Sequence, residues 1–192
     1  YDKLSEVKQK ISVSRIGIGH IRWATHGGAT IDNAHPHKSN DGRLVLVHNG
    51  IIENYNDLKK LLLDNGYTFH SQTDTEIIPN LIHYYYSKDK HNDDKKVLRA
   101  VQNACKSFKG SYALQVISKY MPDNMIVVRK DSPLVIGKGN GENYVSSDIP
   151  AILSFTKDFY LLNDYEFAVL SRDKIDFYDI NPVSYTHLRA HE

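Results

Sequence analysis

The second half of the chain is a series of short apolar runs separated by turn residues. After residue 110 these runs are SYALQVIS, MIVVRK, PLVIGK, NYVSS, FYLL, EFAVLS and KIDFYDI. Runs of about four to eight residues that are rich in β-branched and aromatic side chains and bounded by turn residues are typical of β-strands. We therefore expect large, mainly antiparallel sheets in this half of the chain.

Amphipathic segments in the first half of the chain predict helices. Residues 58–62, LKKLL, begin an apolar stripe that stops at Asn65-Gly66, a typical helix end. Residues 73–76, TDTE, match a capping box that opens a second helix, in which Pro79 is expected to remove a backbone bond and kink the first turns. Residues 97–108 carry the stripe of a further helix.

Further apolar runs predict strands: IGIGHIRW at 16–23, RLVLVHNG at 43–50 and YTFHS at 67–71. Strands on both sides of a pair of helices indicate the α+β class. The last ten residues, VSYTHLRAHE, follow no pattern set up before them. We interpret residues 183–192 as a non-native tail and residues 1–182 as the domain.

The composition excludes some classes of protein. The chain has 192 residues, 41% of them hydrophobic, so it can bury a core without disulfides. A formal net charge of +1 gives no global field for nucleic acid or a membrane surface. One cysteine excludes an intramolecular disulfide, and no apolar run approaches membrane-spanning length. We expect a soluble cytoplasmic protein.

Some motifs that imitate functional sites have simpler structural explanations. His20, His26, His35 and His37 lie near one another, but without the spacing that makes metal ligands converge, so we expect no metal. GKGNGE, residues 137–142, is followed by a strand and not by the helix that a phosphate loop needs, which favours a hairpin turn. A lone thiol on the inner stripe of its helix, Cys105, is expected to be buried and unreactive.

Charged and polar features at Arg22, Asp74 and Asn49-Gly50 are candidates for binding a small ligand. Arg22 and Asp74 together would suit the carboxylate and ammonium of an α-amino acid. A helix follows Asn49-Gly50 where a hairpin would need a strand, so the pair could stabilise an oxyanion on the side-chain carbonyl of that acid. Each feature also has a structural explanation: Arg22 and Asn49 as strand-end residues, and Asp74 as a carboxylate at a helix start.

Several longer motifs closely resemble one family. They are GHIRWATHG, NAHPH, VHNGIIENY, SQTDTEII, GSYALQVIS and SPLVIGKGNGENYVSSD. They are similar to the glutamine amidotransferase domain of glucosamine-6-phosphate synthases, the isomerising glutamine–fructose-6-phosphate aminotransferases. The resemblance runs from about Ile16 to about Ile180. It implies an N-terminal-nucleophile hydrolase fold, a four-layer αββα sandwich with mainly antiparallel sheets, that needs no cofactor.

The resemblance also implies a role for each candidate residue. Arg22 would bind the α-carboxylate of L-glutamine, and Asp74 would bind its α-ammonium group. Asn49 and Gly50 would form the oxyanion hole. The resemblance places further pocket residues next to Arg22: Trp23 near the route by which ammonia leaves, and Thr25 and His26 in the pocket wall.

The beginning of the sequence departs from the family pattern. The family nucleophile is an N-terminal cysteine, whereas this chain begins YDKLSEV. We expect the nucleophile and first strands to precede Tyr1, and the isomerase half, which uses fructose 6-phosphate in a homo-oligomeric parent, to follow Ile180. The sequence as written is therefore expected to be inactive alone. Two alternatives remain: the glutaminase domain of another amidotransferase, such as an amidophosphoribosyltransferase, or a non-catalytic glutamine-binding module.

Overall fold

In chain order, the described residues form a strand hairpin, then three helices, then a run of seven strands. The computed structural model describes residues 14–22 and 27–181. In that part of the chain the elements are β1 His37–Lys38, β2 Leu44–Ile52, α1 Tyr55–Asp64, α2 Ile77–Lys88, α3 Lys96–Ser107, β3 Gly110–Ser118, β4 Met121–Lys130, β5 Val135–Lys138, β6 Asn143–Ser146, β7 Asp158–Leu161, β8 Glu166–Leu170 and β9 Ile175–Asp179.

The strands form two antiparallel sheets. The larger sheet has the order β1-β2-β3-β4-β8-β9, and the smaller has the order β6-β5-β7. Every pair of neighbouring strands in both sheets is antiparallel. This architecture confirms the α+β class and the run of antiparallel strands after residue 110. It also confirms the hairpin at GKGNGE, where the Gly139 amide donates to the Glu142 carbonyl at 2.9 Å across the β5–β6 turn.

Within the described residues, two apolar cores separate three layers of the predicted αββα sandwich, one of helices and two of sheet. Successive residues of β4 show the arrangement, because side chains alternate between the faces of a strand. Ile126 and Val128 belong to the core between the large sheet and the helices, together with Leu81 and Val101. Val127 belongs to a second core, which the large sheet shares with the small one. The helix layer and the small sheet thus cover opposite faces of the large sheet.

The three predicted helices are confirmed, with one correction. Helix α1 ends at Asp64, and Gly66 takes a φ of +84° just beyond it. The expected kink at Pro79 was wrong, because Pro79 is the third residue of α2. The first four N–H groups of a helix have no intrahelical acceptor, so a proline there removes no bond.

Two predicted strands are absent. Residues 16–22 and 67–71 form no strand in the described part of the chain. A strand exists only where a neighbour completes its hydrogen-bond ladder, and no described strand pairs with either segment. Ile21, expected inside a strand, is 99% exposed.

The third predicted strand continues past its expected end. Strand β2 runs through Asn49-Gly50 to Ile52, because β3 offers partners as far as Gly110. The oxyanion-type pair therefore belongs to a strand that pairs with β3 at these residues, beyond the short edge strand β1.

Candidate functional site

A cavity of about 330 Å³ opens where three separate segments of the chain meet. Strand β2 contributes Asn49 and Gly50, the turn before α2 contributes Asp74, and the segment before residue 23 contributes Arg22. All the candidate binding residues within the described ranges thus lie around one space. The others, Trp23, Thr25 and His26, lie outside the described residues. Among the described residues, the cavity is lined by His20, Ile21, Arg22, His35, His48, Asn49, Gly50, Ile51, Thr73, Asp74, Thr75 and Ser111.

The backbone at Gly50 runs unusually close to strand β3. Gly50 has a φ of +136°, and a Cβ built on it would lie 2.2 Å from the Ser111 carbonyl oxygen. Only glycine fits this position, because any side chain would meet backbone that cannot rotate away. The contact fixes where the Gly50 amide lies relative to the Asn49 side chain, which is exposed beside the cavity.

The Asp74 carboxylate is held against strand β2. Its Oδ2 accepts a hydrogen bond from the Ile52 amide at 2.8 Å, and only 8% of the residue is exposed. The turn that carries it is pinned by Glu76, whose carboxylate accepts the backbone amides of His70 and Ser71 at 2.7 to 3.1 Å. The capping-box prediction was wrong, because α2 begins at Ile77 with Glu76 as its N-cap residue and no side-chain cap hydrogen bond. Thr73 Oγ1 accepts the Glu76 amide at 3.4 Å, but the Glu76 side chain bonds residues before the turn.

Two glycine carbonyls orient Arg22. Its Nη1 donates to the Gly28 carbonyl at 3.0 Å and its Nη2 to the Gly27 carbonyl at 3.4 Å. Asn33 donates to the same Gly28 carbonyl at 2.9 Å, which ties this loop to buried structure. The loop glycines therefore hold a planar guanidinium at the cavity wall, a group suited to binding a carboxylate through paired N–H donors.

Four histidines gather behind the cavity. His20 and His35 face each other with their Nδ1 atoms 2.8 Å apart, and the His35 and His37 rings lie 5.2 Å apart. His35 Nε2 and His48 Nδ1 approach the Thr75 hydroxyl at 3.2 Å and 3.0 Å. His48 was missed by sequence reasoning. The available signal was its position, two residues after Leu46 on the inward face of β2.

Burial keeps this histidine group neutral. Desolvation, together with the neighbouring histidines and Arg22, lowers the pKa of His35 to about 3. Desolvation also lowers the pKa of His48 to about 4, although the nearby Asp74 raises it. The pKa values of His20 and His37 are lowered by burial as well. Among the described residues that line the cavity, the charged side chains are therefore Arg22 and Asp74.

Other candidate groups take no part in the cavity. Cys105 lies on α3 with 1% exposure and is absent from the lining, and burial raises its thiol pKa. It is a buried structural thiol, as predicted. Within residues 14–22 and 27–181, no three His, Cys, Asp or Glu side chains are grouped to hold a metal ion. No helix in those ranges is long and apolar enough to cross a membrane.

The chain is similar to known glutamine amidotransferase sequences. The model of a glutamine amidotransferase domain matches residues 22–154. The chain is 50% identical over 170 residues to the glutamine–fructose-6-phosphate aminotransferase (isomerizing) of Clostridium perfringens. It is 48% identical over 165 residues to the enzyme of that name from Caldanaerobacter subterraneus subsp. tengcongensis. These alignments cover 88% and 86% of this chain but only 27% and 26% of the relatives, so the chain spans about a quarter of their length.

Comparison with solved structures supports the same fold. The glutamine phosphoribosylpyrophosphate amidotransferase of B. subtilis, solved with ADP and GMP, superposes with a TM-score of 0.67 at 25% identity. The superposition covers 86% of this chain and 35% of that one. A glutamine aminotransferase class-II domain protein from Silicibacter pomeroyi matches with a TM-score of 0.54 at 16% identity, over 81% of this chain and 74% of that one. The N-terminal-nucleophile fold class, inferred from the sequence motifs, is confirmed.

Proposed function

This chain belongs to the family of glutamine amidotransferase domains, and we propose that it is the glutaminase part of an isomerising glutamine–fructose-6-phosphate aminotransferase. The main support is the convergence of Arg22, Asp74 and Asn49-Gly50, which come from three distant segments, on one cavity. The names and identities of the relatives favour this enzyme over an amidophosphoribosyltransferase, whose solved structure has the same fold at lower identity. The proposed domain spans residues 1–182, and residues 183–192 are a non-native tail.

We propose that the cavity binds L-glutamine by its two α-substituents. Arg22 pairs with the α-carboxylate, and Asp74 pairs with the α-ammonium group. The neutral histidines support this assignment, since a charged imidazole beside Asp74 would compete with the ligand ammonium for the carboxylate. A ligand that lacks either charge would leave a desolvated group unpaired, so the site should discriminate strongly. By resemblance, Trp23, Thr25 and His26 complete this end of the pocket.

We propose that Asn49 and Gly50 stabilise the oxyanion that forms on the glutamine side-chain carbonyl. A side-chain amide and a backbone N–H held by a rigid strand are donors that need no reorganisation as the charge develops. The Ser111 contact supports this role, because it fixes the Gly50 backbone. The thiol that attacks the amide in this family is an N-terminal cysteine, and the one cysteine of this sequence, Cys105, is buried away from the cavity. The chain as given should therefore bind glutamine without hydrolysing it.

In the parent enzyme the released ammonia would pass to fructose 6-phosphate on a separate isomerase domain to give glucosamine 6-phosphate. We propose a cytoplasmic homo-oligomer for that parent. A single cysteine and a near-zero net charge fit this placement. The gene sequence that follows residue 182 distinguishes the rivals, because a phosphoribosyltransferase domain there would replace the isomerase and redirect the ammonia to another acceptor.

The binding mode can be tested by calorimetry with glutamine and two trimmed analogues. Asp74→Asn should weaken glutamine binding about 10- to 100-fold, the effect of losing a charged partner, but leave glutaramate, which lacks the ammonium group, unaffected. Arg22→Ala should weaken glutamine and glutaramate but not γ-aminobutyramide, which lacks the α-carboxylate. Arg172→Ala is the matched control, since that guanidinium bonds the Gly141 carbonyl at the β5–β6 turn. Unchanged glutamine affinity in both cavity variants would rule out the assignment.

A further inference from the structure

The Thr75 hydroxyl is shared by three side chains. His48 Nδ1 lies 3.0 Å from Thr75 Oγ1, His35 Nε2 lies 3.2 Å from it, and Asp74 Oδ1 lies 3.5 Å away. Thr75 is 3% exposed and His48 is 2% exposed, so water does not replace these contacts. A hydroxyl has one proton to donate and two lone pairs to accept with. The three neighbours must therefore divide into one acceptor and two donors.

The unpartnered nitrogen of His48 indicates which neighbour is the acceptor. His48 Nε2 is buried and makes no hydrogen bond within the described residues. If Thr75 donated to His48 Nδ1, the imidazole proton would sit on Nε2 and be buried without an acceptor, which is expensive. The Ser111 backbone raises the pKa of His48 as a hydrogen-bonding neighbour, but it does not meet the geometry of a hydrogen bond to Nε2. The proton is therefore better placed on Nδ1, where it points at Thr75.

One arrangement of protons then satisfies every contact around the Thr75 hydroxyl. A carboxylate can only accept, so the Thr75 proton goes to Asp74 Oδ1, while His48 Nδ1–H and His35 Nε2–H donate to the Thr75 oxygen. His35 Nδ1 then carries no proton and can only accept. Its partner, His20 Nδ1 at 2.8 Å, is the donor in this arrangement. Every donor in the chain of contacts runs toward the Asp74 carboxylate, and the last contact, from the Thr75 hydroxyl at 3.5 Å, is the longest of them.

We propose that Thr75 and His48 are positioning residues for Asp74, with His48 donating through Nδ1 to the Thr75 hydroxyl and that hydroxyl donating to the carboxylate. Both oxygens of the Asp74 carboxylate then accept a hydrogen bond, Oδ2 from the Ile52 amide and Oδ1 from the Thr75 hydroxyl. Neither positioning residue needs to touch the ligand. The consequence for ligand binding rests on the proposed function: the pair sets the affinity for the α-ammonium group of glutamine.

Paired substitutions separate the hydroxyl from simple packing. Thr75→Val keeps the side-chain volume and removes the hydroxyl, whereas Thr75→Ser keeps the hydroxyl and removes a methyl group. Calorimetry should show about tenfold weaker glutamine binding for Thr75→Val and a change of less than twofold for Thr75→Ser. Glutaramate binding should be the same in both, because it has no ammonium group. The matched control is Thr156→Val, which removes a hydroxyl that bonds the Lys138 carbonyl in the small sheet.

Substitutions of His48 test the second step. His48→Asn keeps an N–H donor near the position of Nδ1, whereas His48→Leu fills the space without one. Glutamine affinity should be largely retained in His48→Asn and fall about tenfold in His48→Leu. Equal losses in both, or a greater loss in Thr75→Ser than in Thr75→Val, would show that packing decides the effect and would overturn the proposal.

The imidazole tautomer provides a test without any ligand. Nitrogen-15 NMR of the wild-type chain should place the His48 proton on Nδ1, and Thr75→Val should shift that resonance. A proton on Nε2 would overturn the proposal whatever the ligand does. If the wild type binds no glutamine while its His48 proton is on Nδ1 and responds to Thr75→Val, the proposed function fails and the positioning of Asp74 stands.

Discussion

Replacing Gly50 by alanine should destabilise the protein more than the same change at a glycine that has positive φ but free space around it. The added Cβ would lie 2.2 Å from the Ser111 carbonyl oxygen, 2.8 Å from the Ser111 carbonyl carbon and 2.9 Å from the Tyr112 Cα. All three atoms belong to the backbone of β3, in the ladder that pairs Gly50 with Tyr112. Relief of the overlap requires β2 and β3 to move apart.

Two contributions set the size of the effect. Forcing a residue with a Cβ to a φ of +136° should cost about 1–3 kcal/mol. Overpacking against fixed structure should add about 1–3 kcal/mol. Their sum, about 4 kcal/mol, is a large part of the roughly 5–15 kcal/mol by which a domain is usually stable. Gly66→Ala is the matched control: its φ is +84° and no atom lies within 4 Å of the added Cβ, so only about 1–2 kcal/mol of backbone strain remains.

Urea denaturation followed by circular dichroism measures both variants against the wild-type chain. The free energy of unfolding should fall by about 1–3 kcal/mol more for Gly50→Ala than for Gly66→Ala, the difference being the overpacking contribution. Equal losses would mean that β2 and β3 separate freely at this point. The close approach of Gly50 to β3 could then not be what fixes the Gly50 amide at the cavity.

Three further predictions concern the histidines, the oxyanion pair and the thiol. The folded pKa of His35, about 3, lies below its ordinary 6.5, so the stability that its neutral form contributes is complete above pH 6.5 and is lost as the pH falls toward 3. Urea midpoints should therefore drop between pH 6.5 and pH 4, and less steeply in His35→Gln than in the exposed-site control His91→Gln; parallel curves would contradict this. In a version of the domain that carries the family's N-terminal cysteine, Asn49→Ala should lower kcat about 10²–10³-fold and leave KM nearly unchanged, and similar kcat values would make Asn49 a plain strand residue. Cys105 should react with Ellman's reagent only after unfolding, and the chain as given should release no glutamate; release that disappears in Cys105→Ala would contradict both statements.

Local patterns in the sequence were sufficient for most of the secondary structure. The strand runs after residue 110, the leucine stripe that ends at Asn65-Gly66 and the inner face of α3 all appear where the periodicity places them. These features depend on side chains a few positions apart, which a single sequence displays directly. The long motifs also indicated the family, because their order and spacing along the chain are specific.

Pairing partners lay beyond the reach of local pattern. The run at 16–22 has the composition of a strand and forms none within the described residues, whereas β2 continues through Asn49-Gly50 because β3 runs beside it. An apolar run indicates only that a segment is able to join a sheet. Whether it does depends on a second segment that supplies the other half of each hydrogen bond.

The sequence indicated the residues expected to contact the ligand, but it did not indicate the buried residues that hold Asp74 in place. Arg22, Asp74 and Asn49 could be singled out by type and by motif, but the sequence contained no statement that they surround one cavity. His48 and Thr75 were not recognised, since a histidine on a strand and a threonine before a helix are ordinary residues. Their burial, the lowered pKa of His48 and their contact with Asp74 arise from segments 22 to 27 positions apart that only the folded chain brings together. The sequence by itself determined which chemical groups this protein has, and the tertiary structure decided which of them share a low-dielectric space, where position and protonation become properties of the whole group.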